Sequence, residues 1–236
     1  MGKIGTLQES SLHSALKSKL ASPGDVLEAE VEGYWIDLHC GDHLVEIQTR
    51  SFASIKKKLI HLLERYPVQL VFPVAQEKWV IRLDDDLKTP ISRRKSPRHG
   101  TWNDLFFELT SFPDLIDHPN FSILVLLTSQ EELLCREEAS PSNGRRKSWR
   151  RKGWRVYDRR LIDILDRLEF TTPSDFKSTI PRTLFSSFTI SELSKSLSIS
   201  RPLAQRMTYC LRKMGLIERQ GRNKHGYVYA VTDQQE

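Results

Sequence analysis

Apolar and polar positions recur along the chain in patterns that predict a run of short elements. In "TLQESSLHSALKSKL", Leu12, Leu16 and Leu20 return every fourth residue with Ala15 beside them, which predicts a helix over 6–20. "SPGD" ends it. "VLEAEVEG", "YWIDLHC" and "HLVEIQT" then read as three short strands. "SFASIKKKLIHLLERY" places Phe52, Ile55, Leu59, Leu62, Leu63 and Tyr66 on one helical stripe. The continuous apolar run "VQLVFPV" suits a central strand and "KWVIRL" a strand after it. The expected order is α-β-β-β-α-β-β, an α/β (α+β) class with a mixed sheet flanked by helices.

From 92 to about 180 the pattern weakens. "SRRKSPRHG" reads as a basic loop, "TWNDLFFELT" as a helix, and "SILVLLTSQEELLC" and "RRLIDILDRLEF" as strand or helix. "ASPSNGRRKSWRRKGWR" is poor in apolar residues and reads as a loop. Periodicity returns near the C-terminus. Ile190, Leu193 and Leu197 share a face, Ser200 can cap a second helix with Pro202 in its first turn, and Leu203, Met207, Cys210, Leu211 and Met214 line its inner side. "LIERQ", the polar turn "GRNKHG" and "YVYAV" then read as a hairpin. The expected division is 1–180, with a core over about 5–85, and 181–236.

Composition bounds the classes. The 236 residues, with 39% hydrophobic and 28% charged positions, suit a water-soluble chain with a buried core. No run of 18 apolar residues and no basic-then-apolar leader occurs, so neither a membrane span nor a secretory signal is expected. Three cysteines far apart, Cys40, Cys135 and Cys210, fit reduced thiols in a cytoplasmic setting. The net charge of +6 is unevenly spread. Residues 1–90 hold 11 Lys/Arg against 13 Asp/Glu, whereas 139–160 hold nine against one. That concentration suits a polyanion and a nucleoid-associated location.

The hairpin over 33–52 raises a chemical question. Gly41-Asp42 fits a two-residue turn with Gly first. Pairing Cys40 with His43 sets Asp37 opposite Glu46 and Trp35 opposite Gln48, with Glu46 and Gln48 facing away from Val45 and Ile47. Two carboxylates facing each other at roughly 5 Å repel. They are tolerable on a solvated face, by sharing a proton, or by holding a hard divalent cation such as Mg²⁺.

With Glu9 on the inner side of the first helix, this pattern resembles the PD-(D/E)XK nuclease superfamily across about residues 5–85. The matching residues are Asp37 in "YWIDL", Glu46-Ile47-Gln48 in "LVEIQT" for the E-x-K element, and Glu9 for a helical acid. The resemblance implies a restriction-endonuclease-like core in which Asp37, Glu46 and Glu9 hold Mg²⁺ (or Mn²⁺) and Gln48 positions a water for phosphodiester hydrolysis. It also allows a homodimer. Ile36 stands where the family has Pro. Gln48 replaces the usual Lys, so the site either cuts, leaning on the metal or on Lys56 to Lys58, or only binds. Glu9 also fits a capping box with Thr6. His13 could touch phosphate or sit on the surface, and Lys56 to Lys58 could form a solvated face.

The C-terminal pattern resembles the winged helix-turn-helix superfamily across about 186–231. That implies DNA contact by Arg201, Gln205, Thr208 and Arg212 on the second helix and by Arg222, Lys224 and His225 on the wing. Trp149 and Trp154 interleave with cations in "GRRKSWRRKGWR", so Arg150, Arg151 and Lys152 either bind nucleic acid or form a basic linker. The function so implied is a Mg²⁺-dependent DNA endonuclease. The alternatives are a catalytically idle, nuclease-like DNA-binding protein and a scaffold using the winged helix for protein contacts.

Overall fold

A computed structural model describes residues 10–136 and 153–232. It is a mixed α/β fold with a seven-stranded mixed sheet, flanking helices, and a separate three-stranded sheet near the C-terminus. In chain order the elements are α1 Ser11–Leu20, β1 Val26–Val31, β2 Tyr34–Cys40, β3 His43–Ile47, α2 Lys56–Leu63, β4 Val68–Leu83, β5 Pro90–Lys95, α3 Phe106–Leu109, β6 Phe121–Arg136, β7 Trp154–Phe170, β8 Phe188–Thr189, α4 Ile190–Ser196, α5 Arg201–Lys213, β9 Ile217–Asn223 and β10 Gly226–Val231. The large sheet runs β1-β2-β3-β4-β6-β7, with β5 also paired to β4. Two compact units share these strands: 1–20, 75–101 and 127–166 form one, and 21–74, 102–126 and 167–236 the other.

The unit containing β1 to β3 begins as a meander. β1 pairs antiparallel with β2, and β2 with β3. The chain then crosses through α2 and returns as β4 parallel to β3, with Glu46 beside Leu70 and Ile47 beside Val71. A parallel return needs such a crossover, and the helix pays its way by burying Leu59, Leu62 and Leu63. Phe52, fully buried at the head of that helix, stacks on Phe112 at 5.4 Å and meets Phe72 edge-on at 5.1 Å. Each fully buried ring, Phe52 and Phe112, contributes about 1.5–3 kcal/mol by leaving water, which makes this cluster the anchor of the crossover.

The unit containing α1 is built from the distal halves of β4 and β6, most of β7, and β5. Leu12 and Leu16 of α1 are buried, as their spacing predicts. Ser11 N–H donates to Asp158 Oδ1 at 3.0 Å, and Ile81, Leu83 and Leu133 form an apolar cluster.

Several expectations are corrected here. "VQLVFPV" and "KWVIRL" are one 16-residue strand, β4. Pro73 is tolerated in its middle because it falls between the pairing to β3, which ends at Val71, and the pairing to β5, which starts at Trp79. Ser92–Lys95 of the expected basic loop belong to β5. Both ambiguous runs are strands, β6 and β7, so the sheet extends well past residue 85.

The C-terminal helices and hairpin follow the reading closely. Thr189 caps α4 in a reciprocal box with Glu192, and the Ser200 hydroxyl caps α5 with Pro202 in the first turn. Leu203, Met207, Cys210, Leu211 and Met214 are buried. β8, β10 and β9 form the three-stranded sheet, and β9 extends to Asn223, so the turn shrinks to Lys224-His225. Arg206 donates to the Phe107 carbonyl at 2.7 Å and lies over the Phe107 ring, which docks α5 on α3.

Candidate functional site

The turn between β2 and β3 sets the geometry of the carboxylates. Gly41 takes φ +64°, a conformation side chains resist, and it lets β2 fold back with Cys40 beside His43, His39 beside Leu44 and Leu38 beside Val45. The ladder ends at Leu38 and Val45, so the expected pairings of Asp37 with Glu46 and of Trp35 with Gln48 are not part of it. Ile47 N–H donates instead to Asp37 Oδ2 at 2.8 Å, so the Asp37 carboxylate stands where a β2 carbonyl would otherwise accept.

Of the environments that would let the two acids coexist, the solvated face does not hold for Glu46. It is 7% exposed, and Leu44, Val45 and Ile47 are buried as well. β3 is an interior strand with β2 and β4 on its two edges, and the successive residues Leu44 to Ile47 are all buried, so neither face is open to water. A buried carboxylate needs a partner. Lys58 of α2 supplies it, with Nζ 2.6 Å from Glu46 Oε2. The same ammonium donates to the Trp35 carbonyl on β2. Twelve residues separate Lys58 from Glu46, and one turn-and-helix crossover brings the charge back over the strand. Lys56 points elsewhere and donates to the Ser111 carbonyl at 3.1 Å, while Lys57 is exposed.

Gln48 leaves this cluster. Its Nε2 donates to Ser54 Oγ at 3.3 Å and its Oε1 accepts from Arg50 N–H at 3.1 Å, which organises the loop leading into α2. Among the described residues, no group of three or more His, Cys, Asp or Glu side chains is placed to hold a metal ion. Glu46 is paired with Lys58, and Asp37 is held on the backbone of the residue after Glu46. Glu9, the expected third acid, lies outside the described residues.

On the C-terminal module, the surface of α5 is rotated from the expected phase. Arg201, Gln205 and Arg212 are exposed, but Thr208 is 2% exposed and its hydroxyl donates to the Ala204 carbonyl at 2.8 Å. Thr208 is withdrawn from the outer face, because α5 packs against both α4 and α3 and so buries a wider arc than the apolar stripe alone implies. Tyr209, 44% exposed, takes its place between Gln205 and Arg212. On the hairpin, Arg222, Lys224 and His225 are exposed as expected. Two guanidinium groups lie over the Tyr227 ring, Arg219 at 4.3 Å and Arg222 at 5.6 Å from its centroid. Arg219 and Tyr227 had no marker in the sequence beyond cross-strand spacing. Arg150, Arg151 and Lys152 lie outside the described residues.

The class defined so far is a mixed-sheet α/β protein with a buried Glu46–Lys58 ion pair at the end of β3, Asp37 hydrogen-bonded to the neighbouring Ile47 N–H, and an exposed basic helix-and-hairpin module. Residues 10–171 match the family described as a domain of unknown function, DUF8091, and the chain belongs to that family. The matched segment holds Asp37, Glu46 and Lys58 and ends before α4. An uncharacterized protein of Treponema pallidum (strain Nichols) is 29% identical over 168 residues, 71% of this chain. The match spans 64% of that relative's own length. No solved structure matches. No helix among the described residues is long and apolar enough to cross a membrane.

Proposed function

We propose that the protein is a metal-dependent DNA endonuclease with a PD-(D/E)XK-like core and a winged-helix DNA-binding module. The observation that carries the reading is Lys58 at the Asp37–Glu46 strand end. The resemblance lacked the cation of its E-x-K element at position 48, and α2 delivers a cation to the acid from another direction. Support for the core comes from the order helix, three-strand meander, helix and parallel return strand.

Two carboxylates fit Mg²⁺ or Mn²⁺, since such ions are commonly held by one or two acids with the rest of the sphere left to water and substrate phosphate. When bound by Asp37 and Glu46, with Glu9 as the expected third acid, the ion would polarise the phosphate and lower the pKa of an attacking water. The residues of the chain do the remainder. The Ile47 N–H fixes the Asp37 carboxylate. Lys58 places a positive charge where charge develops on the phosphate, the role Gln48 cannot fill. Gln48 holds the loop ahead of α2 and so positions Lys58.

Delivery to DNA would rest on Arg201, Gln205, Tyr209 and Arg212 of α5 and the Arg219–Tyr227–Arg222 stack of the hairpin. Arginine and glutamine suit base edges and phosphates, and an Arg-flanked ring suits backbone or base contact.

One observation favours a second reading, a nuclease-like DNA binder that does not cut. Both acids already have partners inside the protein, Asp37 in Ile47 N–H and Glu46 in Lys58. Plasmid incubated with the protein and Mg²⁺ or Mn²⁺ separates the two. The endonuclease reading expects metal-dependent nicking that Asp37→Ala and Glu46→Ala abolish and Lys58→Ala cuts by about 10²-fold or more, the usual scale for removing one charge-stabilising group. Salt-sensitive binding without nicking gives the second reading.

A further inference from the structure

The large sheet ends on a long strand whose charges are unevenly distributed. β7 spans 17 residues and is the last strand of the order, with β6 on one side. Among the described residues no strand pairs its other edge. Long open edges are templates for further strands, and proteins usually blunt them with charges. β7 has charges, but their signs are sorted. Arg155, Arg159 and Arg160 with Asp158 lie in its first half, and Asp163, Asp166 and Glu169 with Arg167 in its second. Between the halves lie Leu161 and Ile162, and the exposed apolar side chains are Tyr157 at 46%, Ile162 at 45% and Leu165 at 44%.

Sorted signs repel a parallel copy and attract an antiparallel one. With Leu161 opposite Ile162 of a second copy, Arg160 falls opposite Asp163 of that copy, and two-fold symmetry repeats both contacts. Moving outward, Arg159 meets Ile164, Asp158 meets Leu165 and Tyr157 meets Asp166. No like charges face each other in this register. Arg160 and Asp163 are both exposed, and the contact of Asp163 with Lys19, 3.4 Å between half-exposed groups, is too weak to withhold it.

We propose that residues 157–166 of β7 pair antiparallel with the same residues of a second copy, forming a homodimer by edge-strand addition with Arg160–Asp163 pairs fixing the register. The proposal uses none of Asp37, Glu46 and Lys58, so it stands whether or not the protein cuts DNA.

Sedimentation and light scattering on the wild-type chain, in low and high salt, read the oligomer directly. The expected result is a dimer that weakens with salt. Arg160→Asp and Asp163→Arg should each raise the dissociation constant at least about tenfold, and the double swap Arg160→Asp/Asp163→Arg should recover the dimer because the opposite signs face each other again. Circular dichroism checks that the variants fold. If a single variant unfolds, hydrogen exchange on the wild type still decides: amides of 157–166 should slow as concentration rises. A wild-type monomer at all soluble concentrations, a dimer indifferent to both single swaps, or edge amides unchanged by concentration would overturn the proposal.

Discussion

Lys58 Nζ lies 2.6 Å from Glu46 Oε2, joining the first turn of α2 to the end of β3 across one crossover. The two side chains are 16% and 9% exposed, so the pair is largely shielded from water. Removing one member of such a pair leaves the other charge buried and alone, which costs about 3–5 kcal/mol, while replacing both by apolar groups of similar volume is often neutral. Lys58→Met should therefore destabilise the protein by about 3 kcal/mol, and Glu46→Leu/Lys58→Met should regain most of that loss. Urea unfolding midpoints at equal slope check this. Equal stability of Lys58→Met and wild type would mean that water reaches Glu46.

This pair also marks where sequence reading stopped. The hairpin register from Cys40–His43 to Leu38–Val45, the burial of Leu12 and Leu16, the cap at Ser200 and the inner face of α5 are local consequences of spacing and turn chemistry, and each was legible. Glu46 was not, because alternation assumes one wet face. An interior strand whose successive residues are all buried has no wet face, and the partner of its acid is a tertiary matter. β7 was ambiguous for a related reason. An edge strand exposed on much of its length has no clean apolar stripe to set its period, and its sheet neighbours, unlike its own residues, made it a strand. Thr208 was misplaced because the docking of α5 on α3 widened the buried arc.

The α4 cap gives a pH dependence with a definite sign. Hydrogen bonds from the Thr189 backbone, then from its hydroxyl, hold the Glu192 carboxyl below its ordinary value of 4.5. A lowered folded-state value means stability that is complete above the ordinary value and lost as pH falls through the folded one. Glu192→Gln should flatten the acid limb of the unfolding curve below about pH 4.5, and Thr189→Ala should cost about 1 kcal/mol at neutral pH. Thermal melts of the three proteins from neutral to acid pH measure both effects. An identical acid limb in wild type and Glu192→Gln would exclude the carboxylate as its source.

The thiols should be slow to react. Burial pushes the Cys210 thiol up to about 12, and burial with a hydrogen bond to Asp25 pushes Cys40 up to about 11. The thiolate is the reactive form, so at pH 8 well under one thiol in a hundred is ionised at either position. Alkylation of the native protein at pH 8 should lag that of the urea-unfolded chain by at least about 10²-fold at Cys210. Peptide mapping reads each site separately. Rapid native labelling of Cys210 would mean that the C-terminal module opens readily.

The rotated face of α5 separates packing from recognition. Thr208 is buried with its hydroxyl on the Ala204 carbonyl, whereas Tyr209 stands exposed between Gln205 and Arg212. If DNA is held by this face, Tyr209→Ala and Arg212→Ala should weaken binding by about 1–3 kcal/mol each while leaving the melting temperature within a degree or two of wild type. Arg212→Ala should also lower the slope of log affinity against log salt by about one if it neutralises a phosphate. Thr208→Val, which keeps the volume, should bind as wild type does and change stability by about 1 kcal/mol, because a buried hydroxyl bonded to its own helix contributes little net. Fluorescence anisotropy with duplex DNA at several salt concentrations, beside thermal melts, gives all of these quantities. Strong loss of binding in Thr208→Val with Tyr209→Ala unaffected would turn the helix by one residue and with it the whole proposed interface.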